Sequence, residues 1–329
     1  MEKIRWGIIG VGNVTEVKSG PAFQKASGSE LVAVMRRDAS KSEDYARRHG
    51  VSRWTADADE LINNREVDAV YVATPPSSHA EYAIRVMRAG KPVYVEKPMA
   101  LNFGECLEMN RISGETGMPI VIAYYRRTLP AFLKVKELIE TGEIGKPLTV
   151  NIKLYKQARE RNLQPQEMSW HVFPEIAGAG HFYDLASHQF DYLDFLFGPV
   201  KEVKGIAVNQ AGLYPAEDTV TGSFRFGNGV TGTGSWCFVV DKTAETDLIE
   251  IIGDQGKIIL PCFLHGEMVM ENNLGIHKYR FVNPENIQQN LIQQVVDTLL
   301  GKGKCVSTGE SAARTSWVLE EMVKGYYCG

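Results

Sequence analysis

Short apolar runs alternate with helix-like segments over the first third of the chain, and that alternation restricts the fold to few architectures. IRWGIIG is followed by a helical stretch to about Ser27. ELVAVM precedes SKSEDYARRHG, and VDAVYVAT precedes SHAEYAIRVMRAG. PVYVE then leads into NFGECLEMNRISGETG, and PIVIAY closes the series. Several of the helical segments end on Gly, a helix-stop signal. Strands alternating with helices of about a dozen residues predict a parallel sheet covered on both faces and joined by right-handed crossovers.

The pattern changes near Tyr124. PLTVNIKLY alternates, with Leu148, Val150, Ile152 and Leu154 on one face, and DTVTGSFRF, GVTGTGSWCFVV, DLIEIIGD and KIIL follow across short turns. This half reads as an antiparallel sheet. A helix from about Asp184 to Phe197 precedes most of those strands, and helices near 285–300 and 310–325 close the chain. The expected organisation is a doubly wound α/β domain over 1–123. An α+β domain with a large, mostly antiparallel sheet and helices follows over 124–329. The length of 329 residues suits two domains.

In GIIGVGNVT, Gly10 and Gly12 fall between the first strand and the first helix. This is where a dinucleotide-binding (Rossmann) domain needs a tight turn and close approach of backbone amides to a pyrophosphate at a helix N-terminus. Gly10, Gly12, Asn13 and Val14 are therefore candidate cofactor residues. The third position of the G-x-G-x-x-G pattern is Thr15, a departure that predicts slightly weaker helix–strand packing. At the end of the second strand an acidic residue would read a ribose 2′-OH. Here Arg36 and Arg37 stand instead, and guanidinium groups suit a 2′-phosphate. The expected cofactor is NADP(H), with NAD(H) kept open by Asp38.

A net charge of −4 and a pI near 6.0 give no basic surplus for nucleic acid or an anionic membrane. No stretch has the length and hydropathy of a membrane span, and the N-terminus lacks a signal-peptide layout. Five widely spaced cysteines without a C-x-x-C suggest free thiols in a reducing cytoplasm, and neither a disulfide framework nor a Cys-type zinc site.

GAGHFYDLASHQFDYLDFLFG carries His181, Asp184, His188 and Asp191. Asp184 and His188 are i and i+4 and share a helix face. Ala186, Phe190, Leu193 and Phe197 form the apolar stripe on roughly the opposite side. Three readings fit: a solvated polar face, a metal site lacking an obvious third ligand, or a histidine whose tautomer a carboxylate fixes for acid–base work. No metal is expected. VYVEKPMA poses a related choice, because a buried strand that stops on Glu96, Lys97 and Pro98 reads as a surface turn when taken alone.

Together these stretches resemble the glucose–fructose oxidoreductase / inositol dehydrogenase (Gfo/Idh/MocA) family over nearly the whole chain. GIIGVGN, VDAVYVATPPSSHAEYAIRVMRAGKPVYVEKPMA, AYYRR and the D-x-x-x-H helix occur in the family's order. AVMRRD is most similar to NADP-linked members such as dihydrodiol dehydrogenase and 1,5-anhydrofructose reductase. The resemblance implies an NAD(P)-dependent oxidoreductase that moves a hydride between nicotinamide and a sugar, keto-sugar or polyol. Lys97 would contact the nicotinamide ribose and the reacting oxygen, with a cis bond to Pro98. His188 would exchange the proton, and Asp184 would orient it. Glu96 would face the cofactor, and Thr74, Pro75 and His79 would form the cofactor loop after the fourth strand. Tyr125, Arg126, Arg127 and Trp170 would line the substrate site. The open face of the second sheet would make a homodimer or homotetramer. A non-catalytic sensor of the same fold is the alternative, and retention of Lys97, Asp184 and His188 argues against it. Substrate contacts fall on YKQARERNLQPQEMSWHVFPEIAGAG, whose conformation the sequence does not define.

Overall fold

The computed structural model describes residues 2–328 other than 265. The chain divides into two compact units. One comprises residues up to Thr128 together with Asn283–Ala313, and the other Leu129–Val282 with the residues from Arg314 on. This differs from a boundary at 123/124. Tyr125–Thr128 is a buried turn of 3₁₀-helix that stays with the first unit. The segment 283–313 returns to it because the helix Gln289–Leu299 buries Leu291, Ile292, Val295 and Val296 there.

The first unit contains six strands, β1 (Ile4–Ile9), β2 (Ser29–Met35), β3 (Arg53–Thr55), β4 (Ala69–Val72), β5 (Val93–Val95) and β6 (Ile120–Ile122). Their order is β3-β2-β1-β4-β5-β6 with every pairing parallel, the doubly wound arrangement. Strand period places Val70, Val72, Val93 and Val95 on one face, in a core with Met87, Cys106, Met109 and Ile112. Tyr71 and Tyr94 point to the other face, where their rings stack at 4.9 Å and meet Phe23. The expected single helix after the glycines is two short ones, Asn13–Val17 and Gly20–Lys25, with Pro21 in the first turn of the second. The three-residue strand β3 carries no apolar alternation, so the sequence pattern missed it.

The second unit holds an eight-stranded sheet. Its strands are β7 (Pro147–Gln157), β8 (Val200–Val208), β9 (Thr219–Phe226), β10 (Thr231–Val240), β11 (Thr246–Gly253), β12 (Gly256–Leu260), β13 (Met268–Asn272) and β14 (Gly275–Tyr279). The order is β14-β13-β12-β11-β7-β10-β9-β8, antiparallel except for the β7–β10 pair. Val150, Ile152 and Leu154 are buried as the alternation predicts, whereas Leu148 is exposed. β8 and β14 went unread because few of their side chains are buried, and β13 because it is only five residues long.

Glycine in β10 has a packing role. Gly232 and Gly234 share the buried face with Trp236 and Phe238, not the open face with the threonines. A Cβ at Gly234 would overlap the Trp236 ring, and one at Gly232 the Phe224 ring. The space they leave lets this face receive the helix His181–Phe197. Phe182 meets Trp236 edge-on at 4.9 Å, Phe190 meets Phe224 at 5.2 Å, and Trp236 donates its indole N–H to Gln189 at 2.7 Å.

Candidate active site

In the first unit the loop between β1 and the first helix takes the form its glycines require. Gly10 has φ +97, and a Cβ there would stand 2.8 Å from the Thr74 methyl and 2.9 Å from its amide. The loop after β4, carrying Thr74 and Pro75, therefore lies directly against Gly10. Gly12 is different: a Cβ there would meet nothing within 4 Å. The amides of Gly10 and Val11 bond to Met35, and those of Thr15 and Glu16 to the Gly12 carbonyl. The Gly12 amide donates to Thr15 Oγ1 at 2.9 Å. The amides of Asn13 and Val14 begin the helix and make no hydrogen bond among the described residues, so they are the donors this loop can offer an anion.

Thr15 accounts for its own departure from the glycine pattern. It is fully buried, and its hydroxyl accepts from the Gly12 amide and donates to the Gly12 carbonyl at 2.8 Å. The hydroxyl closes the turn from within, in place of the closer packing that Gly would allow.

At the end of β2, Arg36 is half-buried and donates to the Val11 carbonyl at 2.9 Å, which lays its guanidinium along the glycine loop. Arg37 is exposed. Asp38 caps the helix Ala39–His49: it accepts from the Lys41 amide at 3.3 Å and from the Ser40 hydroxyl at 2.7 Å. These bonds hold its carboxyl below the usual range.

At the end of β5, the Lys97–Pro98 peptide is cis and Lys97 is half-buried. Glu96 follows β5 with its carboxylate against Tyr71. It is 6% exposed and bonded within the unit: Oε1 accepts from Tyr71 OH and from Gln288 Nε2, each at 2.5 Å, and Oε2 accepts the Lys97 amide at 3.1 Å. Tyr71 also reaches Ser19 at 3.2 Å, and Tyr94 donates to Gln288 at 2.8 Å. Burial and the Glu96 charge push the Tyr71 phenol well above its ordinary pKa. His79 is fully buried as well. Its ring nitrogens lie 2.7 Å from the Thr74 carbonyl and 2.9 Å from the Pro98 carbonyl, so it braces the two loops against each other from inside. Burial lowers its pKa, and the carbonyl bonds oppose that only in part. Arg127 donates to the Val306 carbonyl at 2.9 Å, and the Arg126 guanidinium lies 5.1 Å from the Tyr125 ring centre.

In the second unit the helix His181–Phe197 carries the D-x-x-x-H pair, and the solvated-face reading of it does not hold. His188 is 3% exposed and Asp191 1%, while Asp184 is half-buried, so most of the polar side of this helix is covered too. The His188 ring meets Phe263 at 6.0 Å. Asp184 has an additional neighbour that helical spacing could not reveal: His171 Nε2 lies 3.9 Å from Asp184 Oδ2. Trp170 stacks on His171 at 3.7 Å. No cluster of three or more metal-ligating side chains occurs among the described residues. No helix among them is long and apolar enough to cross a membrane.

Residues 4–124 match the oxidoreductase family with an NAD-binding Rossmann fold, GFO_IDH_MocA, and residues 132–259 match the GFO/IDH/MocA C-terminal domain. The chain belongs to the Gfo/Idh/MocA family. It is 40% identical to Oxidoreductase P35 of Formosa agariphila over 99% of both chains. It is 28% identical to the 1,5-anhydro-D-fructose reductase of Ensifer adhaerens over 93% of this chain and 91% of that one. A solved levoglucosan dehydrogenase in complex with NADH and levoglucosan superposes with a TM-score of 0.86 at 21% identity, covering 98% of this chain and 96% of that one. In this Gfo/Idh/MocA chain Lys97 follows β5 on one unit, and Asp184 and His188 lie on the helix His181–Phe197 of the other.

Proposed function

We propose that this protein is an NADP(H)-dependent oxidoreductase acting on a CH–OH carbon of a sugar, keto-sugar or polyol. The observation that carries the reading is the burial of His188 one turn beyond Asp184, on a helix clamped to its sheet by Phe182, Phe190 and Trp236. A buried imidazole one helical turn from a carboxylate is costly as mere structure and suited to moving a proton. The anhydrofructose reductase and the levoglucosan complex support the substrate class.

His188 takes the proton of the substrate hydroxyl as the carbon is oxidised and returns it in the reverse direction, work that contributes about 10²–10⁴-fold. Asp184 holds the imidazole in one tautomer. Lys97 places its ammonium against the oxygen as negative charge develops there. The nicotinamide, when bound, accepts or supplies the hydride. Asn13 and Val14 offer amides to its pyrophosphate, and Thr74 and Pro75 flank the loop. Arg36 and Arg37 take the 2′-phosphate. The use of Asp38 as a helix cap favours this over a ribose 2′-OH contact. His79 and Glu96 act from beneath, on the loop carbonyls and on the Lys97 amide. Tyr125, Arg127 and Trp170 belong to the substrate side. The face of the second sheet turned away from the helix, with Thr231, Thr233 and Ser235 at its centre, serves as the contact for a second copy of the chain.

The decisive test is turnover with NADP+, NADPH, NAD+ and NADH against aldoses, inositols, keto-sugars and aromatic diols, run beside calorimetric titration of each cofactor. Cofactor binding without turnover of any of them would convert the reading to a nucleotide-responsive sensor.

A further inference from the structure

Asp247 is the second residue of β11, and its carboxylate gathers three successive backbone amides from the turn that follows β12. Oδ1 accepts from the Cys262 amide at 3.0 Å, and Oδ2 accepts from the Phe263 amide at 2.6 Å and the Leu264 amide at 2.8 Å. β12 ends at Leu260, so these amides have left the sheet ladder. Backbone N–H groups outside helix and sheet need another acceptor, and one carboxylate supplies it through charge-assisted bonds. Asp247 is itself held by the ladder, where it stands opposite Leu154 of β7 in the interior of the sheet. An irregular turn thus takes its shape from an interior strand. The middle residue of the three, Phe263, is half-buried and meets the His188 ring edge-on, with centroids 6.0 Å apart and 69° between planes. This is a favoured arrangement for a ring pair. A ring packed there narrows the rotamers open to the imidazole and covers one side of it.

We propose that Asp247 is a positioning residue for the proton transfer at His188. Its carboxylate fixes the turn, the turn holds Phe263, and Phe263 keeps the imidazole in the orientation that serves the substrate oxygen. This rests on the acid–base role given to His188 above. Neither Asp247 nor Phe263 touches the reacting atoms, and both lie outside the D-x-x-x-H pattern.

The test is a double-mutant cycle on Asp247→Ala and Phe263→Ala with two readouts. The first is the rate at which diethyl pyrocarbonate modifies His188 in the protein without substrate, mapped by peptide mass spectrometry. His181 is the control, because it begins the same helix and is also 3% exposed. Each single variant should speed modification of His188 about tenfold and leave His181 within about twofold, and the double variant should be no faster than Phe263→Ala, as expected of residues that act through one another. Asp247→Asn keeps an acceptor for part of the turn and should lie between wild type and Asp247→Ala. It takes the place of Asp247→Ala in the cycle should that variant fail to fold. The second readout is turnover of aldoses, inositols and keto-sugars with NAD(H) and NADP(H). There kcat should fall about tenfold in each single variant and no further in the double one, with the cofactor KM within about twofold. Additive effects in the double variant, or equal acceleration at His181, would show that Asp247 only stabilises the unit and would overturn the inference. Unchanged modification of His188 in Phe263→Ala overturns it as well. If the modification cycle comes out as expected and wild type turns over none of the compounds, the oxidoreductase reading falls and takes the catalytic role with it, while the link from Asp247 to His188 stands.

Discussion

Glu217→Gln should make the protein more resistant to heat at neutral and mildly alkaline pH while changing little near pH 4. Glu217 is fully buried beneath the start of the helix His181–Phe197. The Gly180 amide donates to both of its oxygens, at 3.0 and 3.1 Å, and Tyr327 OH donates at 2.5 Å. Burial dominates over these bonds and pushes the carboxyl from 4.5 to about 7. The folded state thus holds a proton that the unfolded chain releases near 4.5. The stability this supplies is complete below that value, declines as pH rises, and is gone once pH passes the folded value. A gap from 4.5 to about 7, at about 1.36 kcal/mol per pH unit, comes to about 3 kcal/mol. With 329 residues and about 2.1 cal/mol/K per residue, the unfolding entropy is about 0.7 kcal/mol/K, so the effect is about 5 °C in Tm if the chain unfolds as one. Glutamine keeps the shape and an acceptor for Gly180 and has no proton to lose. The assay is calorimetric Tm at half-unit steps from pH 4 to 8.5 for wild type and Glu217→Gln. The difference should open in favour of the variant between about 4.5 and about 7 and then stay level. Parallel curves would mean that the carboxyl ionises as it does in water, and the account of its burial would be wrong.

Replacing Arg36 and Arg37 with Ala should erase a preference for NADPH over NADH, each phosphate contact contributing about 1.5–3 kcal/mol. Wild type binding NADH at least as tightly in calorimetry would sink that assignment. Lys97→Met should lower turnover by orders of magnitude with modest change in cofactor affinity. His188→Ala should cost about 10²–10⁴-fold and flatten the pH profile, and Asp184→Asn should lie between. Near wild-type rates for His188→Ala across pH would remove the histidine from the chemistry. Gly234→Ala should destabilise by about 1–3 kcal/mol, because its methyl would overlap the Trp236 ring, and an unchanged urea midpoint would contradict that packing. Light scattering at tens of micromolar should give a dimer or tetramer, and a strict monomer would refute the use of the open sheet face.

Most of the first unit was legible because its strands are continuous apolar runs and several of its helices stop at glycines, a signal that survives without tertiary context. The same holds for Gly10, whose positive φ only glycine takes cheaply. What escaped depended on contacts distant in sequence. β14 has little inward face to alternate against, and β3 is only three residues long. Spacing alone leaves a solvated polar face among the readings of the helix at 181–197, yet His188 and Asp191 are buried. His171 is thirteen positions from Asp184, and Glu217 is thirty-seven from Gly180. Neither pairing has a local periodicity. The signal available was compositional: histidines at 171, 181 and 188 fall within eighteen residues, from a chain that has seven.

Glu96 is a motif residue whose surroundings the pattern alone does not give. Strand period carries residue 96 to the face of Tyr94, opposite Val95. That face is covered by segment 283–313, which brings Gln288 to the carboxylate. The neighbouring Asn286 donates to the Val17 carbonyl at 2.9 Å, and the Gln288 amide donates to the Lys18 carbonyl at 3.3 Å, both at the end of the glycine-loop helix. One short stretch of chain thus holds the helix that follows the phosphate loop and the carboxylate that receives the Lys97 amide. A buried charge persists only when its lone pairs are matched, and here Tyr71, Gln288 and the Lys97 amide match them. Glu96 thereby ties the Lys97 backbone to Tyr71 and to Gln288, a residue of the late segment that packs with the first unit.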